Sequence, residues 1–85
     1  MFIKIPNYYI DADDWTEKEI DRPFIILNTK HIVSVSFLIE NYIKRKVYVV
    51  EITTINGETF QFNFLNKKTA DEYINLLQTN NLVIE

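Results

Sequence analysis

Apolar and polar residues alternate over short runs along this chain, and a period of two is the pattern of half-buried β-strands. Residues 2–5 alternate in this way. Pro6 is expected to end that strand or to lie at a sheet edge, because proline cannot donate a hydrogen bond to a ladder. Residues 23–27 and 32–38 predict two further strands, and the polar segment 28–31 between them predicts a tight turn.

The run over residues 32–38 also predicts which of its side chains are buried. Val33, Val35 and Phe37 fall on one face of the strand, and the two serines between them fall on the other. We expect the three apolar side chains to face the core. Residues 40–46 are polar and charged, and they predict the connection to the next strand.

Residues 7–22 lack a period of two and are strongly acidic. The part from 11 to 22 holds six acidic and two basic residues, a charge of −4, which leaves +1 for the rest of a chain whose net charge is −3. Asp13 or Asp14 could cap a helical turn, because carboxylates stabilise the free N–H groups at a helix start. We therefore expect residues 7–22 to form an acidic excursion with one helical turn.

Asn56-Gly57 lies between two β-prone runs, which is the strongest local signal for a β-hairpin. A two-residue type I′ turn would place Glu51 opposite Phe62, among phenylalanines. A type I turn with Gly57 as a left-handed bulge keeps Glu51 outside. It sets three apolar pairs on one face, namely Ile52 with Phe60, Val50 with Phe62 and Tyr48 with Phe64. We predict the bulged turn.

The last part of the chain carries the signals of an amphipathic helix. Asn66 is a good N-cap, and apolar residues recur on one stripe at Ala70, Tyr73, Ile74 and Leu77. We predict a helix from about residue 67 to 78, stopped by Asn80-Asn81 because asparagine tolerates the left-handed conformation of a C-terminal cap. Residues 82–84 predict a docked tail or a short edge strand.

These elements predict one α+β domain over residues 1–85. We expect an antiparallel meander of four to five strands, with a partial barrel as its curled form, covered by one C-terminal helix. A length of 85 residues leaves room for one hydrophobic core, and 47% hydrophobic residues with a single glycine indicate a packed domain and not a disordered chain.

The composition limits which cellular compartments and which classes of partner we expect for this protein. The chain has no cysteine, which excludes disulfides and thiolate metal sites and favours a reducing environment. The N-terminus lacks the apolar run of a signal peptide, and no stretch reaches the roughly 20 apolar residues of a membrane span, so we expect a cytoplasmic protein with no membrane contact. An overall negative charge argues against general nucleic-acid binding.

The residues that usually carry catalysis or hold metals are not grouped in this sequence. His31 is the only histidine, and we interpret it as a turn residue. The single glycine belongs to the hairpin, so a glycine-rich phosphate loop cannot form. The acidic excursion lacks the central glycine and final glutamate of a calcium-binding loop. We expect no enzymatic activity, no cofactor and no metal.

Two short segments could bind a partner. In the acidic excursion, Trp15 stands among Asp13, Asp14 and Glu17. A ring in such a place most often fixes its loop to the core, which is the interpretation we favour, although tryptophan is also enriched at binding hot spots.

The second segment is the basic cluster Lys44, Arg45 and Lys46, flanked by Tyr42 and Tyr48. Basic residues interleaved with aromatic residues can bind single-stranded nucleic acid. A solvated turn is the simpler interpretation, and the overall acidity of the chain opposes nucleic acid.

A group of small proteins shares several of these signals. Residues 27–35, the strand that follows, Asn56-Gly57-Glu58 and the closing helix resemble a loose group of small uncharacterised bacterial and phage domains that combine a β-meander with a C-terminal helix. The resemblance covers residues 24–77. It implies the fold and transfers no catalytic residues. The acidic segment with Trp15 departs from the short first turn typical of the group.

Our leading functional hypothesis is a non-enzymatic protein-interaction or self-assembling module, whose partner is another protein or a second copy of the chain. We expect Val49 and one of the faces carrying Ile25 or Ile26 to lie outside the helix-covered side, beside open strand edges. The alternatives are a weak nucleic-acid-binding domain using the basic cluster together with Lys67 and Lys68, and an inhibitor or adaptor from a mobile element using the acidic Trp15 segment.

Overall fold

The computed structural model describes residues 2–11, 13–43 and 45–79. Its elements follow one another along the chain as β1 (Phe2–Asp11), β2 (Thr16–Asn28), a 3-10 helix (Thr29–His31), β3 (Ile32–Asn41), β4 (Lys46–Thr54), β5 (Thr59–Phe64) and α1 (Lys67–Thr79). The α+β class, the antiparallel pairing and the C-terminal helix are confirmed.

The strands are divided between two sheets, so the prediction of one continuous meander is wrong. Within the described ranges β1 pairs with β2 in one sheet, and β3, β4 and β5 pair in that order in the other. In the described part of the chain the ladders do not close into a barrel. The chain breaks the meander after β2, where the 3-10 helix turns it from one sheet into the other.

The acidic segment is not an irregular excursion with a helical turn, which corrects that prediction. It forms the distal half of a long hairpin, in which Tyr8 pairs with Glu19 and Asp11 pairs with Thr16. Pro6 does not end β1, and the register of the ladder shifts immediately after it. Cross-strand pairing decides the structure here, since a strand that is solvated on one face tolerates charged side chains without a regular apolar alternation.

The register of the β4–β5 hairpin is the one that the bulged turn predicts. Val50 lies opposite Phe62, and Glu51 lies opposite Gln61 with its carboxylate 2.8 Å from the amide nitrogen. Gly57 has φ +86°, and the amide of Thr54 donates to the carbonyl of Glu58 at 2.9 Å. The left-handed glycine is what allows the extra residue in the turn.

A bulge near the start of β3 changes the face of one predicted core residue. The ladder with β4 shifts between Ile32 and Ser34. Val35 is fully buried and Phe37 packs against the core, as predicted, but Val33 is 48% exposed, which corrects its assignment. Ile32 takes the buried position in its place, since an inserted residue reverses the alternation of faces.

The helix and its N-cap are confirmed. The side chain of Asn66 accepts a hydrogen bond from the amide of Lys68 at 2.9 Å, and Ala70 and Leu77 are fully buried. The ring of Tyr73 stacks on Phe64 with centroids 5.5 Å apart, which seats the helix on the sheet. The predicted stop at Asn80-Asn81 and the predicted tail at 82–84 lie outside the described residues.

The core lies between the inner face of the three-stranded sheet, the helix and the proximal half of the β1–β2 hairpin. Its buried members are Ile3, Ile5, Leu27, Ile32, Val35, Val50, Ile52, Phe62, Phe64, Ala70 and Leu77. The phenylalanines predicted to face inward therefore do so. No helix within the described ranges is long and apolar enough to cross a membrane.

The opposite face of the three-stranded sheet is also covered, which corrects one expectation. Val49 was expected outside the helix-covered side with its face open to a partner, but it is only 1% exposed. The distal half of the hairpin lies over this face: Ile10 and Trp15 share a small cleft with Val47, and the amide of Asn63 donates to the carbonyl of Tyr8 at 3.3 Å. The hairpin passes the edge of β5 and contacts both faces.

Candidate functional site

An open cleft of about 670 Å³ lies between β2 and the β4–β5 turn. This volume is in the range of small-ligand and peptide sites. The lining residues come from two walls and a polar end: Phe24, Ile25, Ile26, Leu27, Asn28, His31, Thr54, Ile55, Asn56, Glu58 and Phe60.

One wall is the edge of β2 and not one of its faces. Five consecutive residues, 24–28, line the cleft, although successive side chains of a strand point to opposite faces. Among the described residues β2 has a ladder with β1 only, so no described strand pairs with its other edge. Phe24 is 46% exposed and Ile26 is 62% exposed. The prediction that one of the Ile25 and Ile26 faces lies outside is confirmed for Ile26.

The other wall is the β4–β5 turn, which hydrogen bonds hold in place. The amide of Ile55 donates to the carbonyl of His31 at 2.8 Å, which joins the turn to the 3-10 helix. The Thr54 hydroxyl donates to the side-chain oxygen of Asn56, and the Asn56 amide nitrogen lies 3.2 Å from a carboxylate oxygen of Glu58. The polar end of the cleft is therefore a fixed structure.

Charge is unevenly distributed around the cleft. Glu58 is the one acidic residue among the described lining residues, and it belongs to the turn that the Ile55–His31 hydrogen bond joins to the 3-10 helix. At the other end the ammonium of Lys4 lies 4.0 Å from the ring centroid of Phe24, a cation–π contact on the outer face of the hairpin. The cleft therefore has an acidic end and a cationic end, with apolar side chains between them.

The predicted acidic site lies far from this cleft, at the tip of the β1–β2 hairpin. Its turn is held by its own side chains: Asp11 accepts from the amide of Asp13 at 2.9 Å, and Asp14 accepts from the hydroxyl of Thr16 at 2.6 Å. Lys18 lies 3.1 Å from Asp14. The hydrogen bond from Thr16, followed by that from Lys18, lowers the pKa of Asp14. Asp14, one of the predicted site residues, therefore stabilises the turn together with Asp11.

Trp15 contacts the neighbouring hairpin. Its φ of 54° is left-handed, which is uncommon for a residue other than glycine, and its amide donates to the carbonyl of Asp11 at 2.7 Å. This conformation directs the half-buried indole toward Tyr42, and the ring centroids are 5.3 Å apart. Trp15 is not among the described residues packed in or against the core, and Tyr42 is 49% exposed, so this contact joins the turn to the neighbouring hairpin and not, as the sequence had suggested, to the core.

The predicted basic site lies at the same end of the molecule as the acidic one. Arg45 and Lys46 are exposed, and Lys44 lies outside the described residues. The amide of Tyr42 donates to the carbonyl of Arg45 at 2.8 Å, so the ring that contacts Trp15 belongs to the basic turn. Sequence reasoning treated these segments as separate sites, and the Trp15–Tyr42 contact brings them together.

Glu17 holds the distal hairpin to the β5–α1 junction. Partial burial of its carboxylate is the main influence and raises the pKa, while the backbone hydrogen bond from Leu65 acts in the opposite direction. The side chain as a whole remains exposed. Glu17 is thus positioned by a contact within the chain.

The cleft itself was missed by sequence reasoning. The uncharged run 23–28 was the available signal, but nothing local shows that the β4–β5 turn lies beside it. Within the described ranges no group of three or more His, Cys, Asp or Glu side chains could hold a metal ion. Comparison with protein-family models, with curated proteins and with solved structures gave no match.

Proposed function

We propose that this protein is a non-enzymatic interaction module that binds another polypeptide along the edge of β2 that faces the cleft. The observation that supports it is that five consecutive residues of this edge, which pairs with no described strand, face a fixed turn. An extended peptide can add to such an edge through main-chain hydrogen bonds, while pockets for alternate side chains give specificity.

The composition of the edge supports the same proposal. Residues 23–28 carry no charge, whereas proteins usually protect open edges with charged residues or short strands. The exposed apolar side chains Phe24 and Ile26 on one wall, and Ile55 at 64% exposure on the other, offer contacts to a ligand strand. We expect this module to act in the cytoplasm.

The edge of β3 is the alternative binding edge, and the structure supports it less well as a peptide-binding site. In the described part of the chain β3 pairs only with β4, so no described strand covers its outer edge either. A bulge between Ile32 and Ser34 interrupts it, and bulges are a common device for turning an edge away from partners. None of the residues of β3 lines the cleft.

The two other predicted surfaces stay predictions with less support. The indole of Trp15 is occupied by Tyr42, which leaves less of it for a partner. For nucleic acid, the ammonium of Lys67 is paired with Asp71 at 2.8 Å, and the acidic turn lies beside the basic one. Each of these contacts reduces the positive potential that a phosphate backbone needs.

The proposal is tested by panning a displayed library of random peptides against the full chain and against Ile26→Lys. A lysine on the edge strand should block strand addition without unfolding the chain, because Ile26 is exposed. Ile39→Lys is the matched control, since Ile39 is 45% exposed on the β3 edge. We expect enrichment on the wild type and on Ile39→Lys, and none on Ile26→Lys.

Light scattering on the same three proteins tests self-assembly. A wild-type dimer that Ile26→Lys dissociates would support the self-assembling form of the module. Equal enrichment on all three proteins, or no enrichment together with a strict monomer, would overturn the proposal.

A further inference from the structure

We infer that the ligand of the β2 cleft is an extended apolar segment of another protein, with a basic residue at the end that meets Glu58 and an acidic residue at the end that meets Lys4. This inference rests on the proposed function and names the chemistry of its partner. It follows from the distribution of charge at the two ends of the cleft.

The orientation of the cleft follows from the contacts at its two ends. Asn28 leads directly into the 3-10 helix, whose His31 carbonyl is bonded to Ile55 of the turn. Glu58 belongs to this turn, so the acidic side chain lies toward the Asn28 end of β2. Lys4 covers the ring of Phe24, which places the cation at the other end.

The length of the ligand strand follows from the edge that it would pair with. The five lining residues of β2 span roughly 17 Å at about 3.3 Å per residue in a strand. A segment of similar length would place its two end residues near Lys4 and Glu58. Its alternate side chains would contact Phe24, Ile26 and Ile55.

The direction of the ligand strand decides the order of its charges. Antiparallel pairing is the more stable arrangement per residue and is the one that the three described ladders use. A ligand antiparallel to β2 begins beside Asn28 and ends beside Phe24. The basic residue therefore comes first in the ligand and the acidic residue last.

A second copy of the chain fits this chemistry less well. The edge segment 23–28 contains no charged residue, so a second β2 would bring neither a base to Glu58 nor an acid to Lys4. A partner with a basic residue at one end and an acidic residue at the other would pair with both Glu58 and Lys4. Complementary charges of this kind set register and orientation more than they set affinity.

The experiment uses two labelled, end-blocked peptides of alternating valine and threonine. One begins with lysine and ends with aspartate, and the other has these two charges exchanged. Binding to the full-length chain is followed by fluorescence anisotropy at low and at high salt. We expect the first peptide to bind more tightly by on the order of three-fold at low salt, which is the size of an exposed ion pair, and the difference to shrink as salt rises.

Glu58→Lys is the charge-reversal variant, and Glu72→Lys on an exposed helix position is its matched control. Glu58→Lys should abolish the preference between the peptides, because Lys4 remains and each peptide then makes one favourable and one unfavourable charge contact. Glu72→Lys should leave the preference unchanged. Thermal unfolding of each variant shows whether it is folded. If both peptides bind the wild type equally and Ile26→Lys abolishes binding, the charge inference is overturned and the proposed function stands.

If neither peptide binds and panning yields no ligand for the β2 edge, the charge inference and the proposed function are both overturned. A wild-type dimer that depends on Ile26 and excludes both peptides would show that a second copy is the occupant. That result would overturn this inference while supporting an interaction module.

Discussion

The indole of Trp15 packs against the ring of Tyr42, with centroids 5.3 Å apart and planes inclined by 60°. The two residues belong to different hairpins, since Trp15 lies in the β1–β2 turn and Tyr42 follows β3. Their contact holds the distal half of the long hairpin to the three-stranded sheet. It also explains why Trp15 adopts a left-handed backbone conformation, because the ring contact offsets part of the cost.

A double-mutant cycle of Trp15→Ala and Tyr42→Ala should measure this contact. We expect a coupling free energy of about 0.5–1.5 kcal/mol, the usual size for an aromatic pair. Urea denaturation followed by far-UV circular dichroism gives the four free energies of unfolding. Ile43→Ala replaces Tyr42→Ala in the control cycle, because Ile43 is fully exposed and should be additive with Trp15→Ala. A coupling of zero in the first cycle would contradict the packing described above.

Gly57→Ala should destabilise the protein by about 1 kcal/mol through the backbone alone. The residue has φ +86°, and an added Cβ would meet no atom within 4 Å, so no clash contributes. Gly57→Asn should lower the free energy of unfolding by less than Gly57→Ala does, because asparagine tolerates the left-handed region. The midpoints of thermal unfolding rank the three proteins, and an alanine variant as stable as the wild type would show that the turn has another conformation.

Phe62→Ala should cost about 3–5 kcal/mol, since the ring is fully buried at the centre of the core. Its neighbour Gln61 points to the other face, where it bonds the exposed carboxylate of Glu51, so Gln61→Ala should change stability by no more than about 0.5 kcal/mol. Chemical denaturation of the two variants tests the register of the hairpin. Similar losses from both would mean that β5 does not present its phenylalanines inward.

Glu17→Gln should change how stability depends on pH. Burial raises the pKa of the Glu17 carboxyl in the folded chain, so the proton is bound more tightly there than in the unfolded chain. The resulting contribution to stability is fully present below the unfolded pKa and is lost as pH rises through the folded pKa. Glutamine keeps an acceptor for the Leu65 amide without a desolvated charge. We therefore expect the variant to be at least as stable as the wild type near neutral pH.

Urea midpoints measured from mildly acidic to neutral pH test this expectation, with Glu72→Gln as the exposed control. The gap between Glu17→Gln and the wild type should widen in favour of the variant as pH rises. A variant that is less stable at neutral pH would show that the charge of Glu17 is stabilising where it lies.

Local signals predicted the C-terminal half of the fold well. Asn56-Gly57 and the position of Glu51 were enough to choose the register of β4 and β5, and Asn66 located the start of the helix. These features depend on residues close together in sequence, where turn chemistry and capping act directly.

The N-terminal half depended on pairing between distant residues. Nothing in the charges of residues 7–22 shows that Tyr8 lies opposite Glu19, and a single bulged residue was enough to expose Val33. The cleft could not be predicted for the same reason, because its two walls, β2 and the β4–β5 turn, meet only in the folded chain.

The register shift in the long hairpin has a geometric consequence. Only Asn7 separates the paired positions Pro6 and Tyr8, whereas four residues, 20–23, separate their partners Phe24 and Glu19. The extra residues on β2 bend the hairpin, so that its distal half passes β5 and lies on the far side of the three-stranded sheet. Shortening the stretch 20–23 would straighten the hairpin and expose Val47 and Val49. The length of this stretch therefore decides whether the far face of the three-stranded sheet is exposed or covered.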